Sequence, residues 1–489
     1  MLNFRPVTKS FSHSIRLNTG RLLAGAGAFL LFAGALSAET IRLKNGRIIL
    51  ADSVREVNGR VEYSVGENTY ALPKSSVERI DTGGSPVVTN SEAQERLPVP
   101  TISEDITAGG DQSAASKVIH DGKVDTDALA ALESGGDKEI AATAYFLAAK
   151  YEMTHGSMEK AALYLEHAHL LLPGNDVLLV HQASVSAQMG KMADAASFAE
   201  RAVRLAPANA AAFAMLGYAD LQMDKLKAAV KALKRSIELQ PDAGVEDMLA
   251  RAQREVQAES TFAEEATSHF KLRFEGGQAA PELRRQILEI LEIDFNDLVR
   301  ALNFSPRESI YVILYTDKQF FDVTQAPSWS GALFDGKLRL PINGVKVVDT
   351  EFARVLKHEL THSFIAQLSR GKCPTWLHEG VAQIMEPRSA SGSARDLAGL
   401  YIAQKNMPLN QLEGSFAGFS AEQAGLAYLE SLLSVEYIRD TYGMGDVALI
   451  LKRIGEGQST ESAMRSTIHS GYSQFEQELT THLKQTYGG

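Results

Sequence analysis

Pro173, Pro207 and Pro241 recur at an interval of 34 residues, and Ala161, Ala195 and Ala229 keep the same interval. Tyr145, Leu179 and Phe213 hold the matching early position; Gly156 and Gly190 hold another, with Asp224 in place of the third glycine. A period of this length commits residues 131–257 to stacked pairs of helices. Each pair leaves an apolar face that only the next pair can cover. Small residues let the paired helices approach, and proline closes the second helix of each pair. Three units are near the minimum for a stable stack, so Val245 to Val256 is expected to add a capping helix.

A second stretch constrains chemistry as strongly. His358-Glu359-Leu360-Thr361-His362 lies in a run where Phe352, Val355, Leu356 and Leu360 recur at helical spacing, with Thr350 as the expected N-cap. On a helix the two histidines are offset by only about 40° around the axis, so both imidazoles face one metal ion. Glu359 then stands where it can take a proton from water activated by that metal. Zinc usually takes three protein ligands, and Glu379 is the candidate third. It falls on a short helix from Trp376 to Met385, opened by Pro374-Thr375 and folded back by the turn before it. Cys373 lies between the ligands in sequence. A fourth protein ligand would close the site to water, so a buried turn residue is its simpler role.

His-Glu-Leu-Thr-His followed by Trp376-Leu377-His378-Glu379-Gly380-Val381-Ala382 resembles the gluzincin metallopeptidases, in particular the bacterial peptidase-MA-like domains. Upstream, Ala326 to Pro341 is similar to the same family, and the likeness spans roughly residues 265–485. It implies a thermolysin-like fold, Zn2+ held by His358, His362 and Glu379, and Glu359 as catalytic base. It also implies a tyrosine or histidine donor from the helical lobe. Tyr428 is the best placed by family order, with a core role equally open, and Tyr401 and Tyr437 are weaker options. The family more often has asparagine where this chain has His378, which adds a titratable group beside the site. An edge strand before the metal helix pairs with substrate backbone in that family, and Gly331 to Phe334 is the candidate here. The 34-residue period resembles tetratricopeptide repeats, which implies a concave face for a peptide or protein partner; a plain spacer is the alternative.

The N-terminus bears on compartment. Arg5, Lys9, Arg16 and Arg21 precede the apolar run Leu22 to Leu36, which small residues end at Ala38. This reads as a secretory signal, residues 1–38, with periplasmic or secreted mature protein; an uncleaved inner-membrane anchor is the alternative. No later stretch is apolar enough to span a bilayer. The formal net charge of −11 argues against nucleic acid as a partner, and the single cysteine excludes an intramolecular disulfide.

The expected class is therefore a multidomain α+β chain. Residues 39–82 carry short strands and the turn signals Asn45-Gly46 and Asn58-Gly59, the pattern of a small SH3-like β module. Residues 83–130, rich in Gly, Ser, Thr, Pro and Asp, read as a flexible linker. The repeats fill 131–257 and the gluzincin-type domain 262–489. Two functions follow: an exported zinc peptidase whose repeats recruit protein, or a repeat scaffold of the cell envelope with a structural zinc. A zinc hydrolase acting on cell-wall peptide bridges is a third reading.

Overall fold

The computed structural model describes residues 39–44, 48–51, 53–57, 59–65, 68–81, 97–103, 116–120, 122–155, 157–325, 332–342 and 345–487. The expected signal segment, the Asn45-Gly46 turn, Asn58 and Gly331 lie outside them. The chain divides into two compact units, residues 1–87 and 88–489. Among the described residues, no helix is long and apolar enough to cross a membrane.

The first unit holds six strands: β1 (Glu39–Leu43), β2 (Ile48–Ala51), β3 (Ser53–Val57), β4 (Arg60–Val65), β5 (Asn68–Pro73) and β6 (Val77–Asp81). They form two three-stranded antiparallel sheets, ordered β2-β1-β6 and β3-β4-β5. Val57 faces Arg60 across the turn that carries Gly59, at φ +75°. Val61 and Tyr63 are its buried centre.

The second unit is mostly helical. Part of the stretch expected as a linker, residues 83–130, has regular structure. Residues 116–124 form a short turn and the hairpin β7 (Ile119–His120) with β8 (Lys123–Val124), and Val118 is fully buried against the first repeat. Residues 97–103 run without regular structure, and Leu97, Val99 and Ile102 pack on the core of the later repeats. Apolar spacing, rather than polar composition, decides whether such a stretch finds a surface to bury on.

After α1 (Thr126–Ser134), the repeats are three helix pairs: α2 (Lys138–Thr154) with α3 (Met158–Leu171), α4 (Asp176–Gln188) with α5 (Met192–Leu205), and α6 (Ala210–Gln222) with α7 (Leu226–Leu239). The capping helix is α8 (Ala243–Glu259). Close packing explains the small residues: a Cβ on Gly217 of α6 would lie 2.6 Å from Leu233 Cγ on α7.

A five-stranded sheet follows, ordered β12-β13-β11-β10-β9, from β9 (Ala263–Ala266), β10 (Phe270–Phe274), β11 (Ile310–Tyr315), β12 (Leu333–Phe334) and β13 (Leu338–Pro341). Parallel pairs β10–β11 and β11–β13 make its centre; β9 and β12 are antiparallel edges. Its helices are α9 (Pro281–Leu302) and α10 (Asp317–Thr324). Then come α11 (Thr350–Leu368), α12 (Thr375–Met385), α13 (Ala394–Ile402), α14 (Ala421–Tyr442), α15 (Met444–Gly455), α16 (Thr460–Ile468) and α17 (Tyr472–Tyr487).

Repeats and sheet are joined by buried charge. Arg339 on β13 is fully buried. It donates to Glu255 Oε1 on α8 (2.7 Å), to the Tyr315 hydroxyl (2.6 Å) and to Asp335 Oδ2 (2.9 Å). Lys337 donates to Glu255 Oε2 (2.9 Å) and Asp224, Arg251 of α8 to Asp335, and Arg273 pairs with Glu259 (2.8 Å) and Asp224. Arg339 and Lys337 hold the Glu255 carboxyl well below the usual range despite its burial. Such a network tolerates burial only while every member is paired.

Candidate metal centre

The metal-helix stretch folds as a helix because an apolar stripe and a cap agree. The cap is Asp349, not Thr350: its side chain accepts from Phe352 N at 2.8 Å, and its carbonyl accepts from Ala353 N. Aspartate caps as well as threonine, and standing one residue earlier it takes the amide of the third helical residue. From His358 to Ala366 every residue is buried. Lys357 ties the helix to α9 through Asp294 and Asp297, each at 3.1 Å.

The position of α12 is set by packing. Trp376, Leu377 and Val381 are fully buried, and the helix begins at Thr375 behind Pro374, whose ring cannot continue a helix backwards. Gly380 permits the closest approach: a Cβ there would meet the Ser431 carbonyl oxygen of α14 at 2.4 Å. Gln383 Nε2 completes the seam by donating to Tyr428 O at 3.1 Å.

That packing carries Glu379 to the two histidines. Its carboxylate oxygens lie 3.6 Å from His358 Nε2 and 3.8 Å from His362 Nε2. The imidazole centroids of His358 and His362 are 4.7 Å apart. Two trios have mutually close ligand atoms: His358, Glu359 and His362, and His362, His378 and Glu379, each within 4.8 Å. His362 is common to both. His378 is half-buried, its ring 4.6 Å from that of His362.

The donor set suits a divalent cation. His362 is fully buried, and neither ring nitrogen has a hydrogen bond. Burial, then His378 and His358, hold it neutral, the form that ligates. Burial disfavours charge on His358 too, but Glu386 and Glu379 outweigh it and push this residue up to about 10, so the pocket favours positive charge there. Glu359 and Glu379 are fully buried carboxylates beside these rings. Nitrogen and oxygen donors about 3–4 Å apart can share one metal ion.

Glu386 was not visible to the motif. Its Oε1 lies 3.3 Å from His358 Nδ1 and 2.8 Å from Arg388 Nε, on the far side of the ring from Glu379. The signal existed: Glu386 follows Glu379 by seven residues, two helical turns, and so shares its face.

Tyr428 is buried, its ring edge-on to Phe416 at 5.4 Å, a core position. Tyr401 is buried on α13, and Tyr437 packs edge-on to Phe475. Cys373 belongs to neither trio; its Sγ contacts Pro374 O, and desolvation, then Glu379, pushes the thiol up.

His378 and Glu379 open on a cavity of about 1800 Å³. Leu333 and Phe334 of edge strand β12 line it, as do Tyr218 and Met223 at the end of α6. The cavity thus runs from the candidate metal centre to the repeats within one compact unit.

Residues 299–485 match the family model described as Peptidase MA superfamily, and residues 210–243 match that of the tetratricopeptide repeat. The second match spans α6 and α7. No curated protein matches the chain. Among solved structures, the first repeat domain of Spaghetti (RPAP3) bound to the HSP90 peptide SRMEEVD is similar at 24% identity, with a TM-score of 0.23. That match covers 24% of this chain and 93% of the other. The Sgt2 repeat domain from Aspergillus fumigatus is similar at 22% identity, TM-score 0.24, covering 26% and 86%.

Proposed function

We propose that this chain is a zinc-dependent peptidase of the gluzincin kind, with repeats that engage a polypeptide substrate or partner. The observation that carries this reading is the Glu379 carboxylate at 3.6 and 3.8 Å from His358 and His362, beside the buried Glu359. His358, His362 and Glu379 would hold the ion. Zinc, when bound, supplies a Lewis acid for the scissile carbonyl and makes water acidic enough to attack near neutral pH. Glu359 takes the proton of the attacking water and delivers it to the leaving amine. Leu333 and Phe334 offer an edge strand for the substrate backbone, and their place on the same cavity supports this. Glu386 fixes the orientation of His358 through Nδ1.

Elemental analysis tests the centre. The wild type should carry about one zinc per chain and cleave members of a peptide library. His362→Ala should lose both, and undiminished zinc in that variant would refute the ligand set. Tyr428 is kept as the oxyanion donor on family order alone; unchanged turnover in Tyr428→Phe removes it from that role. Export rests on the basic-then-apolar start, and N-terminal sequencing that finds residues 1–38 intact on membrane-bound protein would favour the anchor. The six-stranded first unit is read as an SH3-like barrel, which an NMR structure of residues 39–82 would test.

A further inference from the structure

Leu97-Pro98-Val99-Pro100-Thr101-Ile102-Ser103 is neither helix nor strand, yet it is not bare chain. Pro98 and Pro100 hold the residues before them, Leu97 and Val99, in extended backbone. Leu97, Val99 and Ile102 are half-buried on the core cluster of α4 to α8 and Pro100 is half-buried beside them, while Pro98, Thr101 and Ser103 are exposed. This is how a peptide without regular structure sits on a protein surface: some side chains enter, and those between face water.

The place it occupies matters. Leu97, Pro98 and Val99 line the same cavity as Met189, Tyr218 and Met223 at the ends of α4 and α6, and as His378 and Glu379. A polypeptide passing from the repeats to the metal centre would cross this ground. Three half-buried aliphatic side chains bury far less than a folded core, so the contact is weak by itself. Its persistence comes from tethering, which gives a linked segment an effective concentration on the order of millimolar.

We propose that residues 97–103 are a built-in ligand of the repeat array. They occupy the surface that takes an extended partner strand with aliphatic residues separated by prolines, and a partner of that chemistry displaces them. The proposal rests on the reading of the repeats as a polypeptide-binding surface and names the sequence chemistry that surface accepts.

The test uses the full chain and a fluorescent peptide of sequence LPVPTIS. Its anisotropy is followed with wild type, with Val99→Asp, and with Leu97→Asp/Val99→Asp/Ile102→Asp, each first shown by circular dichroism to melt as wild type does. The single variant serves if the triple fails to fold. The expected result is that the opened variants bind the peptide at least tenfold more tightly than wild type, whose site is already filled. Equal affinity in wild type and variants would overturn the proposal. β-Casein, an unfolded proline-rich chain, is the second probe. If opened variants bind casein but not LPVPTIS, the built-in ligand is refuted while the polypeptide-binding reading stands. If they bind neither, both fall.

Discussion

At the residue scale, the ligand candidates were legible because their geometry is local. Four residues on a helix place His358 and His362 on one face whatever surrounds them. Glu379 needed a turn and a second helix, and the apolar residues of Trp376-Leu377 and Val381 announced that helix. Glu386 escaped because its role depends on the three-dimensional return of α12 to α11. Its motif, Glu-Pro-Arg, also reads as a helix end. If Glu386 orients His358, Glu386→Gln should keep the fold and weaken zinc binding by roughly 10- to 100-fold. A chelator-competition titration measures this; unchanged affinity would leave Glu386 a mere partner of Arg388.

At the element scale, periodicity fixed helices well and caps less well. α9 begins at Pro281 and ends at Leu302, as its apolar spacing requires. The N-cap of α11 shifted from Thr350 to Asp349 because both residues can cap, and only the backbone path chooses between them. Short elements without a pattern of their own, such as β9, take their structure from pairing with β10 and had no signal. The seam between α12 and α14 depends on Gly380, where the Ser431 carbonyl leaves no room for a side chain. Gly380→Ala should therefore push α12 outward and cost about 1–3 kcal/mol. Glu379 moves with that helix, so zinc content should fall as well. A thermal melt with metal analysis checks both, and a variant with wild-type melting and zinc would contradict the packing argument.

At the scale of the whole molecule, the repeats and the domain that follows them both lie in the compact unit of residues 88–489. A boundary near residue 260 looks natural where the 34-residue period stops and strand alternation begins. The charges that pair across it are spread over distant positions: Asp224, Arg251, Glu255 and Glu259 on one side, Arg273, Asp335, Lys337 and Arg339 on the other. No local pattern reveals such pairing. A chain cut to residues 262–489 keeps Lys337 and Arg339 but loses the Glu255 carboxylate that both contact. Leaving one buried partner unpaired costs about 3–5 kcal/mol, and here several are lost together. The fragment is expected to be insoluble or to melt far below the full chain. A soluble fragment with the full chain's melting temperature would show that the network is dispensable.

In the proposed mechanism the buried Glu359 acts as a base and not as a ligand. The direct measurement is peptide turnover by wild type and Glu359→Gln, with zinc content determined on the same samples. Glutamine keeps the size of the side chain and removes the basic oxygen. Glu359→Gln should hold as much zinc as wild type and lose at least about 100-fold in turnover. Equal turnover in the two proteins, or zinc lost along with activity, would contradict it.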